Sequence, residues 1–180
     1  MTGEERSEAG EPYLRGPHAR AHMAESPLDP WRSLVGEWRG TTPGEQFGEK
    51  TPIEDVATYS MDLGERFLLT RGEARCEGRL LNRSLAVMFY DKAAGKFRRE
   101  TFFSYGFVNH ETEMSRTDAE ILFDVRVEPE PKEFEGMRWR SFLRRSGEDE
   151  ISAGLEVAKG DGPFESYGEV RLVRQPPKPS

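Results

Sequence analysis

The sequence predicts an all-β protein: an antiparallel up-and-down β-barrel of eight to ten strands, with a short N-terminal helix closing one end. Apolar and polar residues alternate at period two over about ten short segments, and turn residues separate most of them. No helical stretch is long enough for the crossover that parallel strands need. Closing so many strands into a barrel also removes the exposed sheet edges. A two-sheet sandwich is the alternative, but it would need longer connections than these turns.

One short helix is predicted before the first strand. Asp29 is a suitable N-cap, Pro30 suits the first helical position, and Gly36 can end the helix. Its apolar face would consist of Trp31, Leu34 and Val35. This segment is long enough for one or two turns only.

The strands follow in chain order, and their apolar faces are read from alternate positions. The clearest face is Ile121, Phe123, Val125 and Val127, whereas the pattern over residues 106–116 is weak. The predicted strands are residues 34–40, 53–63, 66–74, 80–90, 97–105, 106–116, 121–127, 134–145, 151–157 and a last strand around Val170 and Leu172.

Composition excludes several classes of protein. The 180 residues suffice for one ordinary domain, and no apolar run approaches the eighteen residues of a membrane-spanning helix. A net charge of -7 argues against a nucleic-acid partner. The single cysteine, Cys76, excludes an internal disulfide framework and a cysteine-rich zinc site, and we expect no metal.

The two ends have the composition of tails. Residues 1–26 are polar and lack a sustained apolar period, so they are expected to be disordered, and residues 176–180 form a proline-rich C-terminal tail. The barrel domain is therefore assigned to residues 27–175. No secretory signal is recognised in the N-terminal segment, so the expected location is the cytoplasm.

Short motifs in the predicted barrel carry a family resemblance. Gly36-Glu37-Trp38 follows the short helix, Asp62-Leu63-Gly64-Glu65 forms a turn, and Tyr90-Asp91 opens a hairpin that ends at Phe97. The last strand contains Arg171 and Arg174. In order and spacing these motifs resemble the calycin group, which includes lipocalins, fatty-acid-binding proteins and bacterial lipocalin-like families.

The resemblance implies a role for the motif residues and a kind of function. In such barrels the motif tryptophan packs at the closed end under an arginine of the last strand, here Trp38 with Arg171 or Arg174, as a structural cation–π contact. The opening also resembles the haem-binding nitrobindins, whose iron ligand is a histidine near the C-terminus. This chain has histidines only at 18, 22 and 110, so haem is disfavoured and no cofactor is expected.

Polar residues that point to the same face of a predicted strand as its apolar residues are the candidates for a ligand site inside the barrel. An arginine there needs an anionic partner, which would be a ligand carboxylate or a protein carboxylate such as Asp55 or Glu73. Fatty-acid-binding barrels use arginine and tyrosine in this way. The predicted ligand-binding residues are Tyr59, Arg71, Arg99, Phe103 and Trp139.

Other reactive residues have simpler interpretations. His110 is interpreted as a surface histidine near Glu111 and Glu113 rather than a general base, and Cys76 as an inert strand residue. His18 and His22 have helical metal-pair spacing but lie in the predicted tail. The basic segment 138–145 is interpreted as a strand with Trp139 inward and its charges outward.

The function predicted from these observations is the binding of a small hydrophobic or amphipathic ligand, including anionic ones, inside the barrel. A small calycin-type enzyme, such as a cyclase or decarboxylase, and a filled barrel that serves as a structural or interaction domain are the alternatives. The enzyme hypothesis is the less favoured, because no catalytic constellation can be selected from the sequence. No membrane span is expected, and a homodimer is left open.

Overall fold

The chain forms a closed barrel of ten antiparallel strands in a computed structural model that describes residues 26–177. Each strand pairs with the next along the chain, and β1 pairs with β10 to close the barrel. The predicted fold class is confirmed. The strands are β1 (Gly36–Thr42), β2 (Ile53–Asp62), β3 (Phe67–Cys76), β4 (Arg79–Asp91), β5 (Lys96–Phe103), β6 (Val108–Arg116), β7 (Glu120–Glu128), β8 (Met137–Arg145), β9 (Glu150–Lys159) and β10 (Glu165–Arg174).

Side-chain alternation gives the barrel a distinct inner and outer face. In β2, Ile53, Ala57 and Tyr59 are buried, while the side chains at 54, 58 and 60 are exposed. Antiparallel register carries this distinction from strand to strand, because paired residues point to the same face. Tyr59 lies opposite Thr70 of β3, and Thr70 lies opposite the buried Ala86 of β4.

Three short 3-10 helices accompany the strands: Asp29–Leu34, Gly44–Phe47 and Lys132–Phe134. The first is the predicted helix, but its details differ from the prediction. Asp29 is its first residue and Leu28 its N-cap, and the Asp29 carboxylate accepts hydrogen bonds from the Ser26 backbone amide and from Arg32 Nε. Gly36 already belongs to β1.

Two predicted strands were too long where they meet a turn. The strand predicted over 97–105 ends at Phe103, and the one predicted over 106–116 begins at Val108. Gly106, with φ of +95°, lies in the turn between them, in a backbone conformation that favours glycine. The predicted tail residues 1–25 and 178–180 lie outside the described residues, and so do His18 and His22.

The end of the barrel at which β1 begins and β10 finishes is closed by packed side chains. Leu28 at the N-cap and Trp31 and Leu34 of the first 3-10 helix are each 1% exposed, and they pack with apolar residues from the nearby strand ends. This closed end provides the main apolar core, whose strand residues include Trp38, Leu68, Met88, Phe97, Ile121, Phe123, Leu143, Ile151 and Leu172. Among the described residues, no helix is long and apolar enough to cross a membrane.

Trp38 and Arg174 form the predicted contact at the closed end. The Arg174 guanidinium lies 4.2 Å from the Trp38 ring centroid, and its Nη1 donates to the Val35 carbonyl at 2.9 Å. Trp38 Nε1 donates to the Leu34 carbonyl at 2.7 Å. Arg174 Nη2 also donates to the Ser33 carbonyl, so one arginine ties the first 3-10 helix to the last strand. Arg171, the other candidate for this contact, faces outward with a side chain 75% exposed.

We expect Arg174→Met to lower the free energy of unfolding by about 1–3 kcal/mol, because two backbone carbonyls lose their donor and Trp38 loses its cation. Arg171→Met on the same strand is the matched control, and its effect should stay within about 0.5 kcal/mol. Urea unfolding of both variants measures the difference. Equal losses in the two variants would contradict a specific role for Arg174.

Candidate functional site

The half of the barrel opposite the closed end keeps accessible surface on its inward face. This end, the mouth, is where β2, β4, β6, β8 and β10 begin. Several of its inward residues are only half-buried, although others there, such as Cys76, Asn109 and Trp139, are buried. The half-buried ones are Thr70, Gly72, Ala74, Asn82, Ser84, Phe103, Val127, Leu155 and Val157. The wall formed by β2, β3 and β4 carries small side chains, among them Ala57, Gly72 and Ser84. Short side chains on this wall fill less of the barrel interior than large ones would.

A cluster of four hydrogen-bonded residues lies on the inner face of β5, β6 and β8. This inner polar cluster consists of Arg99, Thr101, Glu111 and Ser141. Arg99 Nε and Ser141 Oγ donate to Glu111 Oε2 at 2.8 and 2.5 Å, and Thr101 Oγ1 donates to Oε1 at 2.8 Å. Arg99 Nη2 also pairs with Oε2 and donates to Ser141 Oγ at 2.9 Å. Glu111 is 3% exposed, so its charge is compensated entirely within the barrel wall.

Arg99 retains a surface that its partners do not cover. Its side chain is 16% exposed, its Cζ lies 4.6 Å from the Phe123 ring centroid, and its Nη1 makes no hydrogen bond to another described residue. Every buried side-chain nitrogen or oxygen in the described part of the chain has a partner. Nη1 is therefore the donor that this arginine directs toward the interior space.

Tyr59 places a second polar group near Arg99. Burial raises the pKa of Tyr59 to about 12, and the positive charge of Arg99 acts in the opposite direction, so the two groups lie close enough to interact. The Tyr59 hydroxyl has no hydrogen bond to another described residue, although the ring is 5% exposed and packs edge-on against Trp38. Nearer the mouth, burial raises the pKa of Asp55, which accepts a hydrogen bond from Thr42 Oγ1 at 2.7 Å.

Six aromatic side chains stand at the mouth in two groups, here called the mouth aromatics. In one group Phe103 stacks on Tyr105 at 5.2 Å, and Tyr105 meets Phe107 at 5.5 Å. In the other, Trp139 contacts Phe134 at 5.0 Å and Tyr167 at 4.9 Å. Burial raises the pKa of Tyr105, and the Tyr167 phenol raises it further. The mouth is thus bordered by apolar rings that carry two phenol groups.

Four of the five predicted ligand-binding residues face inward, and one does not. Arg99 lies in register between the buried Met88 and Glu111, and Tyr59, Phe103 and Trp139 occupy inward positions as well. Arg71 is exposed on the outer face, so the prediction that it points inward was wrong. Phe67 and Leu69, which share the face of β3 with Arg71, form an apolar patch on the outside of the barrel rather than part of its core.

The anionic partner of the inward arginine also differs from the prediction. Glu111, not Asp55, Glu73 or a ligand, neutralises Arg99. Glu111 lies in β6, where both faces are polar, so no apolar period marked its parity. The sequence offered one indication of this position. Asn109 and Glu111 point to one face of β6 and His110 to the other, and a strand in a closed barrel must direct one of these faces inward.

The remaining candidates take up structural positions. His110 faces outward, with Nδ1 2.5 Å from Glu100 and Nε2 3.1 Å from Glu128, instead of pairing with Glu111 or Glu113. Cys76 is buried, and its sulfur lies 3.0 Å from Thr51 Oγ1. In β8, Trp139 is inward while Arg140 and Arg144 pair outside with Glu156 and Glu120. Within residues 26–177, no three His, Cys, Asp or Glu side chains are grouped to hold a metal ion.

Two shallow surface grooves flank the first 3-10 helix at the closed end, with volumes of about 420 and 490 Å³. Arg145, which donates to the Pro30 carbonyl, lines one groove, and Arg116, beside the Tyr90 and Phe97 rings, lines the other. Both lie away from the inner polar cluster and the mouth aromatics. The interior of the mouth half is therefore the stronger candidate for a ligand site.

Comparison with known proteins supports the fold alone. No protein-family model matches the sequence, and no curated protein matches it. Among solved structures, Rv2717c from M. tuberculosis matches with a TM-score of 0.60 over 83% of this chain and 97% of that chain, at 19% sequence identity. The barrel is thus similar in architecture to that protein, and at this identity the similarity carries no functional residue across.

We expect Arg99→Ala to lower the free energy of unfolding by about 3–5 kcal/mol, because it leaves Glu111 buried without a cation. The double variant Arg99→Met/Glu111→Gln removes both charges, and the amide of the introduced glutamine can still form hydrogen bonds with Thr101 and Ser141. It should regain most of that loss in urea unfolding. If the double variant were no more stable than the single one, the uncompensated carboxylate would not be the cause.

The Tyr59 pKa predicts a pH effect of definite sign. Because the folded-state pKa lies above the ordinary value of about 10, the contribution of Tyr59 to stability is complete below pH 10 and is lost as the pH rises through the folded pKa. We expect phenolate absorbance to show one tyrosine titrating near pH 12, and Tyr59→Phe to abolish that component. A Tyr59→Phe titration that keeps it would contradict the assignment.

Proposed function

We propose that the mouth half of the barrel binds a small, largely apolar molecule whose polar end reaches Arg99 and Tyr59. Two inward polar groups carry this proposal, Arg99 Nη1 and the Tyr59 hydroxyl, because neither makes a hydrogen bond to another described residue. Toward the mouth from these two groups, several inward side chains retain accessible surface. Pockets that are mostly apolar and contain a few oriented polar groups are typical of small-molecule sites.

The inner polar cluster narrows the chemistry of the polar end. Glu111 already neutralises Arg99, so an anionic ligand would add an uncompensated charge near Glu111 and Asp55. Nη1 is a donor, and the Tyr59 hydroxyl is both a donor and an acceptor. A neutral head group with a hydrogen-bond acceptor, such as a carbonyl, ester or amide, therefore fits better than a carboxylate.

The mouth aromatics match the apolar part of such a ligand. Their rings would contact a chain or ring system that enters between the group at Tyr105 and the group at Trp139. Covering exposed apolar surface of this kind with a ligand is favourable and stabilises the complex. Tyr105 is 58% and Tyr167 43% exposed, so much of this surface is available.

The test uses Nile red, a neutral apolar probe, and an anionic naphthalene sulfonate, with the full chain. We expect Nile red to bind and Ser84→Phe, which fills the interior, to weaken its binding by about tenfold or more. Ser60→Phe is the same change on the exposed outer face of β2 and should alter the affinity less than about twofold.

A second pair of variants tests the polar end. Arg99→Met/Glu111→Gln should weaken displacement of Nile red by neutral ester or amide amphiphiles by about tenfold, while the exposed Arg71→Met should have no effect. Binding that is unchanged by Ser84→Phe would place the probe outside the barrel. No binding of either probe would support the filled-barrel alternative.

A further inference from the structure

Asn109 is a buried polar residue that takes no part in the inner polar cluster. It is 6% exposed and points inward from β6, two residues from Glu111. In register it lies between Thr101 of β5 and Val127 of β7, which also belong to the inner face. Its side-chain amide makes no hydrogen bond to another described residue. Buried amides ordinarily have such partners, so this one needs an explanation.

The amide of Asn109 keeps accessible surface although the residue as a whole is buried. Every fully buried side-chain nitrogen or oxygen in the described part of the chain has a hydrogen-bond partner. An amide without a partner there is therefore not sealed off by packed side chains. Because Asn109 projects from the inner face of β6, its accessible amide is directed into the mouth half of the barrel.

Asn109 supplies an acceptor that the inner polar cluster lacks. Both carboxylate oxygens of Glu111 already accept hydrogen bonds from the other members of that cluster. The group that Arg99 directs inward, Nη1, is a donor only, whereas an asparagine amide has an acceptor oxygen and two N–H donors. Asn109 lies two residues nearer the mouth than Glu111 along β6, a distance of about 7 Å. The same wall therefore offers a donor and, one inward position further out, an acceptor.

We propose that Asn109 determines the specificity of the interior site, which selects secondary amides over esters, an inference that rests on the function proposed above. The ligand carbonyl accepts from Arg99 Nη1, and the ligand N–H donates to Asn109 Oδ1. In a trans amide the C=O and N–H bonds point in opposite directions. With one hydrogen bond of ordinary length at each end, such a group bridges a donor and an acceptor about 7–8 Å apart, which is comparable to the spacing along β6.

The discrimination comes from the hydrogen bond that an ester cannot make. An ester places an oxygen, which is an acceptor, opposite Asn109 Oδ1, so that both groups lose a donor when water is displaced. A site built to bond an N–H rejects the analogue that lacks it for this reason. The apolar chain of the ligand would continue outward past Phe103 and Phe107 of the mouth aromatics.

The test is displacement of Nile red from the full chain by N-methyldecanamide and by methyl decanoate, which differ only in an NH group for an oxygen. We expect the amide to bind about fivefold or more tightly than the ester. Asn109→Leu should reduce this preference to less than about twofold, while the ester still binds within about threefold of its original affinity. His110→Leu, the next residue along β6 with an outward side chain, is the control and should keep the preference.

A second measurement uses the unaltered chain. Asn82 and Asn109 are its only asparagines, so labelling with 15N-asparagine gives two side-chain NH2 pairs in an NMR spectrum. Saturating N-methyldecanamide should shift the Asn109 pair, and methyl decanoate should shift it less. The Asn82 pair should move less than that of Asn109, because its amide oxygen already accepts from Ser104 Oγ at 3.1 Å.

The outcomes separate this inference from the function on which it rests. Nile red binding with equal affinities for amide and ester overturns the role of Asn109 and leaves the interior site in place. A preference that survives in Asn109→Leu, shown to be folded by thermal unfolding, does the same, as does an Asn109 NH2 pair that saturating amide leaves unmoved. A chain that binds neither Nile red nor the amide overturns both.

Discussion

The width of a closed ten-stranded barrel is the constraint on which the rest of this structure depends. Eight strands already enclose about as much space as side chains can fill, so ten strands enclose more. The chain fills one end with the 3-10 helix Asp29–Leu34, and Arg174 ties that helix to the last strand and to Trp38. Toward the mouth several inward side chains are small or polar, and several are only half-buried. The two halves of one barrel therefore differ in how their interiors are packed.

The inner polar cluster marks the transition between the two halves. A buried arginine and glutamate contribute little to stability compared with an apolar pair of the same shape, but each is costly to leave alone. The Arg99–Glu111 pair therefore stabilises the fold little more than two leucines in the same positions would. What it adds is a fixed donor, Nη1, held by Nε and Nη2 bonds that prevent the guanidinium from rotating away. In the proposed function, this donor recognises the polar end of a ligand with a neutral head group.

Period-two alternation predicted the barrel, the strand order and the inward positions of Tyr59, Arg99, Phe103 and Trp139. The closed-end contact of Trp38 with Arg171 or Arg174 was implied by the family resemblance. Alternation fails where both faces of a strand have the same character. In β3 the outer residues Phe67 and Leu69 are as apolar as a core face, so Arg71 was assigned to the wrong side. In β6 both faces are polar, so Glu111 was missed. The aromatics Tyr105, Phe107, Phe134 and Tyr167 lie at turns and at the start of a strand, where no period links them to the mouth.

The most direct test of this account is a crystal structure of the full chain, purified without added ligand, in which the interior of the mouth half is examined. The account predicts ordered water or a bound small molecule within hydrogen-bonding distance of Arg99 Nη1 and the Tyr59 hydroxyl, with the inner polar cluster intact. It also predicts that Phe103 and Trp139 border this space without filling it. Side chains packed against Nη1, with no space beside Ser84 and Leu155, would contradict it and would make this a filled barrel.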